Sequence, residues 1–149
     1  MVTQRVLTEM ADVLNSDGIN YSVSLSVYSG LKESAGDINC IVNRLIGHKV
    51  VLSGLRDASV TEVVETLRQS LGYVGDDGAG PGPSVLKSRD FSRLLESICN
   101  SVVQLSQTVC GIKSFGFAEG HPHYPVFWDF AYLFHGNDEN LLLVGSSSD

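Results

Sequence analysis

The chain is 149 residues long, 43% hydrophobic and 18% charged, with a formal net charge of −7. That balance excludes a disordered chain and fits one domain, which at this length buries roughly 68–70% of its unfolded surface. Ten scattered Lys and Arg against seventeen acids argue against nucleic acid as a partner, because cation–phosphate neutralisation supplies most of that affinity.

The longest purely aliphatic run, Leu141 to Val144, is far short of the roughly 20 residues that span a bilayer, so no membrane span is expected. Cys40, Cys99 and Cys110 are an odd number and cannot all pair within one chain. MVTQRVLTEMADVL has neither the continuous apolar run nor the cleavage site of a signal peptide. Reduced thiols and a cytoplasmic protein are the expectation.

In chain order, Thr3 to Asn15 predicts a helix, with Val2, Val6, Leu7, Met10, Val13 and Leu14 as its apolar stripe and Asp17-Gly18 as its stop. Tyr21 to Tyr28 alternates as a half-buried strand does, with Tyr21, Val23, Leu25 and Val27 on one face and three serines on the other. Gly30 to Gly36 reads as a loop. From Asp37 the pattern fits two states: a strand, or a short helix capped by Asp37, with Ile38, Ile41, Val42 and Leu45 on one side and Gly47 at its end. Val50 to Leu52 predicts a short buried strand.

Ser59-Val-Thr-Glu62 is a capping box, in which the Ser59 hydroxyl takes the Glu62 amide and the Glu62 carboxylate reaches back to the Ser59 amide. Val60, Val63, Val64, Leu67 and Leu71 follow at helical spacing up to Gly72. Gly75 to Pro83 reads as a Gly/Pro connection inside a flexible stretch at 73–83. A long helix from Ser88 or Asp90 to Thr108 has the stripe Phe91, Leu94, Leu95, Ile98, Val102 and Leu105. Three strands then close the chain: Ile112 to Ala118, Val126 to His135 and Leu141 to Val144. Gly136 to Asn140 forms the tight turn between the last two, and Ser146 to Asp149 reads as a frayed tail. Strands fall on both sides of the Gly/Pro loop. The expected fold is therefore a single α+β domain over residues 1–149, mainly an antiparallel sheet of about five strands with a C-terminal three-strand meander and three to four packed helices.

The residues that point to function lie near the end. Phe115, Phe117, Tyr124, Phe127, Trp128, Phe130, Tyr132 and Phe134 are eight of the twelve aromatic residues. After Lys113 no cation remains, whereas Glu119, Asp129, Asp138, Glu139 and Asp149 do. Aromatic surface dominates both cores and interfaces, and an acidic rim steers a basic protein partner, although acidity also serves solubility. Alternation places Val126, Trp128, Phe130, Tyr132 and Phe134 on one face, and Phe127, Asp129, Ala131, Leu133 and His135 on the other. A carboxylate on so apolar a face must be paired, hydrogen-bonded, exposed, or raised in pKa.

Glu119, His121 and His123 provide metal-ligating or acid–base types around a turn, with Asp129, His48 or a cysteine as a further ligand. His135 lies roughly 30 Å along the strand at about 3.4 Å per residue, too far to join them. No G-x-S-x-G elbow, phosphate-binding glycine loop or EF-hand pattern occurs, and the three cysteines have no adjacent histidine.

Two functions from different classes remain. One is a non-enzymatic inhibitor or immunity-type protein without cofactor or catalytic residue, which blocks a basic partner through Tyr124, Trp128, Asp129, Tyr132, Asp138 and Glu139. Self-association through an uncovered aromatic strand is a variant of it. The other is a small metal-dependent enzyme or ligand-binding domain at the Glu119–Tyr124 turn, with His121 or His123 as base or ligand and Asp129 as orienting acid.

Overall fold

A computed structural model describes residues 2–32 and 36–149. In chain order the elements are α1 (Gln4–Asn15), β1 (Ser22–Leu31), α2 (Ile38–Ile46), β2 (Val51–Ala58), α3 (Val60–Leu71), α4 (Pro83–Leu86), α5 (Arg89–Ser106), β3 (Gly111–Glu119), β4 (Trp128–His135) and β5 (Glu139–Ser148). The five strands form one antiparallel sheet in the order β1-β5-β4-β3-β2. This is an α+β fold, and β3, β4 and β5 form the expected meander.

Local signals account for most of the boundaries. Thr3, Asp37, Ser59 and Ser88 each accept a backbone amide with a side-chain oxygen, at the first turns of α1, α2, α3 and α5. The segment that fitted both strand and helix is the helix α2, ended by Gly47 at φ +89°. Of the loop expected at 30–36, residues 30 and 31 belong to β1, and 33–35 lie outside the described residues. The capping box is half formed. Ser59 takes the Glu62 amide, but the Glu62 carboxylate turns to Arg56 in a two-pronged pair of 2.7 and 2.9 Å. A charge-assisted fork is stronger than a bond to one neutral amide.

The sheet buries both faces. Val23, Leu25, Phe130, Tyr132, Phe134, Leu141, Leu143 and Ile112 face α1, α3 and α5. The opposite face carries Leu133, Leu142, Val144, Ala131 and Phe115 and packs on Val42 of α2. Each fully buried Leu or Phe side chain contributes about 1.5–3 kcal/mol. Two-sided burial also explains why Leu141 to Val144 is apolar without alternation.

The last strand is longer than expected. Ser146 to Ser148 are not a tail: Ser147 pairs with Trp128 and Val23, Ser146 with Asp129 and Ser24, and both serines are buried. Serine carries no strand signal of its own, and the neighbours on either side impose the conformation.

β1 and β2 form the two edges, and side-chain amides from the helices blunt both. In α1, Asn15 bonds both backbone groups of Val23, and Gln4 bridges Leu25 O and Val27 N–H. In α2, Asn39 bridges Val50 O and Leu52 N–H while Asn43 accepts from Val50. Further along, β2 shifts register between Ser53 and Arg56, with Gly54 at φ +61°. These are standard means of hiding unpaired edge groups. β2 thus runs to Ala58, not only to Leu52 as expected, because β3 supplies a partner for an exposed strand. Among the described residues no helix is long and apolar enough to cross a membrane.

Candidate functional site

The connection from β3 to β4, residues 120–127, holds the histidines at one end of the sheet. His121 tucks inward: its side chain is 10% exposed, and its ring meets the Phe117 ring edge-on at 4.9 Å. The His123 backbone N–H donates to His121 Nδ1 at 2.9 Å. That bond leaves the proton of the neutral ring on Nε2, a buried atom without a hydrogen-bond partner, 3.7 Å from an Asp129 carboxylate oxygen. Asp129, 42% exposed at its side chain, stands on the sheet face away from the three-helix layer, as alternation predicts. His48 anchors the connection from below through a 2.8 Å contact with Gly120 O.

The arrangement leaves few free ligands for a metal ion. The Nδ1 lone pair of His121 is already committed, Glu119 is exposed, and among the described residues no group of three or more His, Cys, Asp or Glu could hold a metal ion. It resembles a loosely spaced imidazole–carboxylate pair. Burial is the largest influence on His121 and holds it below the ordinary histidine range, while Asp129 pulls the other way.

A depressed folded pKa has a definite consequence. As pH falls through the unfolded histidine value near 6.5, the unfolded chain takes up a proton that the folded chain resists, so stability falls until the folded value is passed. His135, lowered chiefly by burial and then by Lys113 and Lys32, acts with the same sign. Urea midpoints should therefore drop between pH 7.5 and 5.5, and His121→Gln should flatten that slope. A slope unchanged in the variant would mean that His121 titrates as it does in the unfolded chain.

The aromatic residues divide differently from the expectation. Tyr132, 3% exposed, lies in the core and donates its hydroxyl to Thr66 at 2.8 Å, so it belongs to no contact surface. Trp128 is half-buried, stacks on Phe130 at 5.8 Å and donates its indole N–H to the Tyr21 hydroxyl at 2.8 Å. Phe127 precedes the strand instead of lying within it. Its ring joins Tyr21 and Tyr73 in a cluster with 5.7–5.8 Å spacings on the helix side, not the Asp129 side. Alternation fails there because β4 begins at Trp128. β4 lies between β5 and β3, but β3 pairs only with its second half, Tyr132 to His135, whereas β5 pairs along all of it.

Of the expected contact residues, Tyr124 is 76% exposed and lies close in sequence to Asp129, whereas Asp138 and Glu139 sit at the far turn. Asp129 and His135 mark opposite ends of β4, about 20 Å apart at roughly 3.4 Å per residue. The expected surface is thus two separate patches. Sequence reasoning passed over a third region beside the first, where residues 17–20 meet 74–80. Its signal was present in the chain: residues 6–31, 69–86 and 114–149 contain no Lys or Arg.

Fold and site together define a five-stranded antiparallel α+β protein with helices on both faces and an exposed aromatic loop at one sheet end. Comparisons with protein-family models, with curated proteins and with solved structures find no match.

Proposed function

We propose that this chain is a non-enzymatic binding protein of the inhibitor or immunity type, acting on a basic protein partner. The observation that carries the reading is Tyr124, 76% exposed with prolines at 122 and 125, five residues before the part-exposed Asp129 in a part of the chain without cations. Tyrosine is among the residue types enriched at interface hot spots, and surrounding acidity speeds encounter with a cationic surface. A reducing cytoplasm suits the chain, whose three cysteines are unpaired thiols, with Cys99 buried and its pKa pushed up by that burial.

Tagged protein should co-purify from its source with one basic protein, and added salt should weaken the complex. Tyr124→Ala should cost about 2 kcal/mol of binding, roughly 30-fold in Kd, and Asp129→Lys should slow association, both without loss of stability. Undiminished affinity in both variants would remove this loop from the interface.

The orphaned Nε2 of His121 facing Asp129 favours a second reading, a small ligand-binding or catalytic site at the same turn. Turnover of any small compound that vanishes in His121→Gln would replace the first reading with the second.

A further inference from the structure

We propose that the cleft between residues 17–20 and 74–80 docks a cationic segment of the partner, one carrying a bulky apolar side chain among its Lys or Arg residues. This rests on the basic-partner reading above and extends it to a second wall of the same end of the molecule.

The cleft has a volume of about 460 Å³, and its lining includes Asp17, Ile19, Val74, Asp76 and Asp77. Ile19 and Val74 are 61% and 73% exposed, among the most exposed large aliphatic side chains described. An apolar pair left in water between three carboxylates fits one chemistry: an aliphatic or aromatic side chain flanked by cations. Neutral and anionic partners leave the carboxylates uncompensated.

Hydrogen bonds tie the two walls together. Ile19 and Gly80 exchange two backbone hydrogen bonds of 3.0 and 2.9 Å, and the Asn20 side-chain amide donates to Gly78 O at 3.0 Å. One Asp76 oxygen accepts the Gly78 and Ala79 amides, which holds that charge in place. Gly75, at φ +74°, lies so close to Ala79 and Gly80 that a Cβ there would stand 2.2 Å from Ala79 O. Behind the cleft, Tyr73 and Tyr21 stack with Phe127, which ties this wall to the Tyr124 loop. A preformed site loses less ordering entropy on binding.

Charge distribution gives the direction. The residues that line the cleft include Asp17, Asp76 and Asp77 and not one Lys or Arg. Such a surface attracts cations with little local repulsion, and the attraction weakens with salt.

The test is NMR titration of the intact ¹⁵N-labelled protein with a 12-residue peptide alternating Lys and Leu, beside the same peptide with Gln for Lys. Saturable shifts are expected at Asp17 to Asn20 and Val74 to Gly80 with the Lys peptide. Asp76→Asn with Asp77→Asn should weaken binding at least tenfold, because Asn keeps the oxygen that accepts the loop amides and loses only charge. Val74→Ser should weaken it about fivefold, and Asp138→Asn with Glu139→Asn should leave it unchanged. Equal binding of the Gln peptide, or shifts centred on Asp138 and Glu139, would overturn the cleft as the docking site. Shifts confined to Tyr124 and Asp129 would overturn it too while leaving the basic-partner reading in place, and the absence of saturable shifts anywhere would overturn both.

Discussion

Gly145→Val is expected to abolish cooperative folding. Gly145 lies in the middle of β5, paired with Phe130 on one side and Leu25 on the other. A Cβ built there would stand 2.4 Å from Phe130 Cζ and 2.9 Å from Leu25 Cδ2. The Phe130 ring cannot swing away, because it stacks on Trp128 at 5.8 Å and tilts against Tyr132 at 6.0 Å. Overpacking a dense core by a single methyl costs about 1–3 kcal/mol, and a branched side chain demands displacement of a central strand as well. Gly145→Ala should therefore fold with a clearly lowered urea midpoint, and Gly145→Val should not fold at all. A native-like midpoint for the valine variant would mean that the ring has an alternative seat.

Two tyrosines eight residues apart should respond in opposite ways. Tyr132→Ala removes a ring 3% exposed among Ile112, Phe130 and Leu143, and strips Thr66 of its hydroxyl partner at 2.8 Å. A buried aromatic truncation costs about 3–5 kcal/mol, or roughly 10–15 °C in Tm for a chain of this size. Tyr124→Ala removes a ring 76% exposed and should change stability by no more than about 0.5 kcal/mol. If thermal melts showed similar losses for both, Tyr124 would be a packing residue and its place in the proposed interface would be lost. The contrast separates binding from folding within one aromatic segment.

Much of the architecture was legible because it follows from local rules. The cap at Ser59 and the stripes of α3 and α5 are short-range signals, and the structure contains them. The serine-rich β1 was equally plain, since strict alternation allows only one face inward. Legibility failed where neighbours decide. Ser146 and Ser147 are strand residues because β1 and β4 flank them. The strand β2 persists past Leu52 because β3 lies alongside, and Glu62 leaves its helix cap because Arg56 is within reach.

The candidate surface shows the same division. Composition established an acidic protein of net charge −7, and residue order placed no Lys or Arg after Lys113. Which rings meet solvent was a different matter. Trp128, Phe130 and Tyr132 face the helices because alternation along β4 turns them to the layer of α1, α3 and α5, so no aromatic side chain of it reaches the surface whole. Tyr124 stays outside because it lies in the connection between strands, and Ile19 and Val74 adjoin only because two distant loops share backbone hydrogen bonds at Ile19 and Gly80. Charge is additive along a chain and can be counted; exposure belongs to the packed whole, where each residue's fate depends on what the others cover.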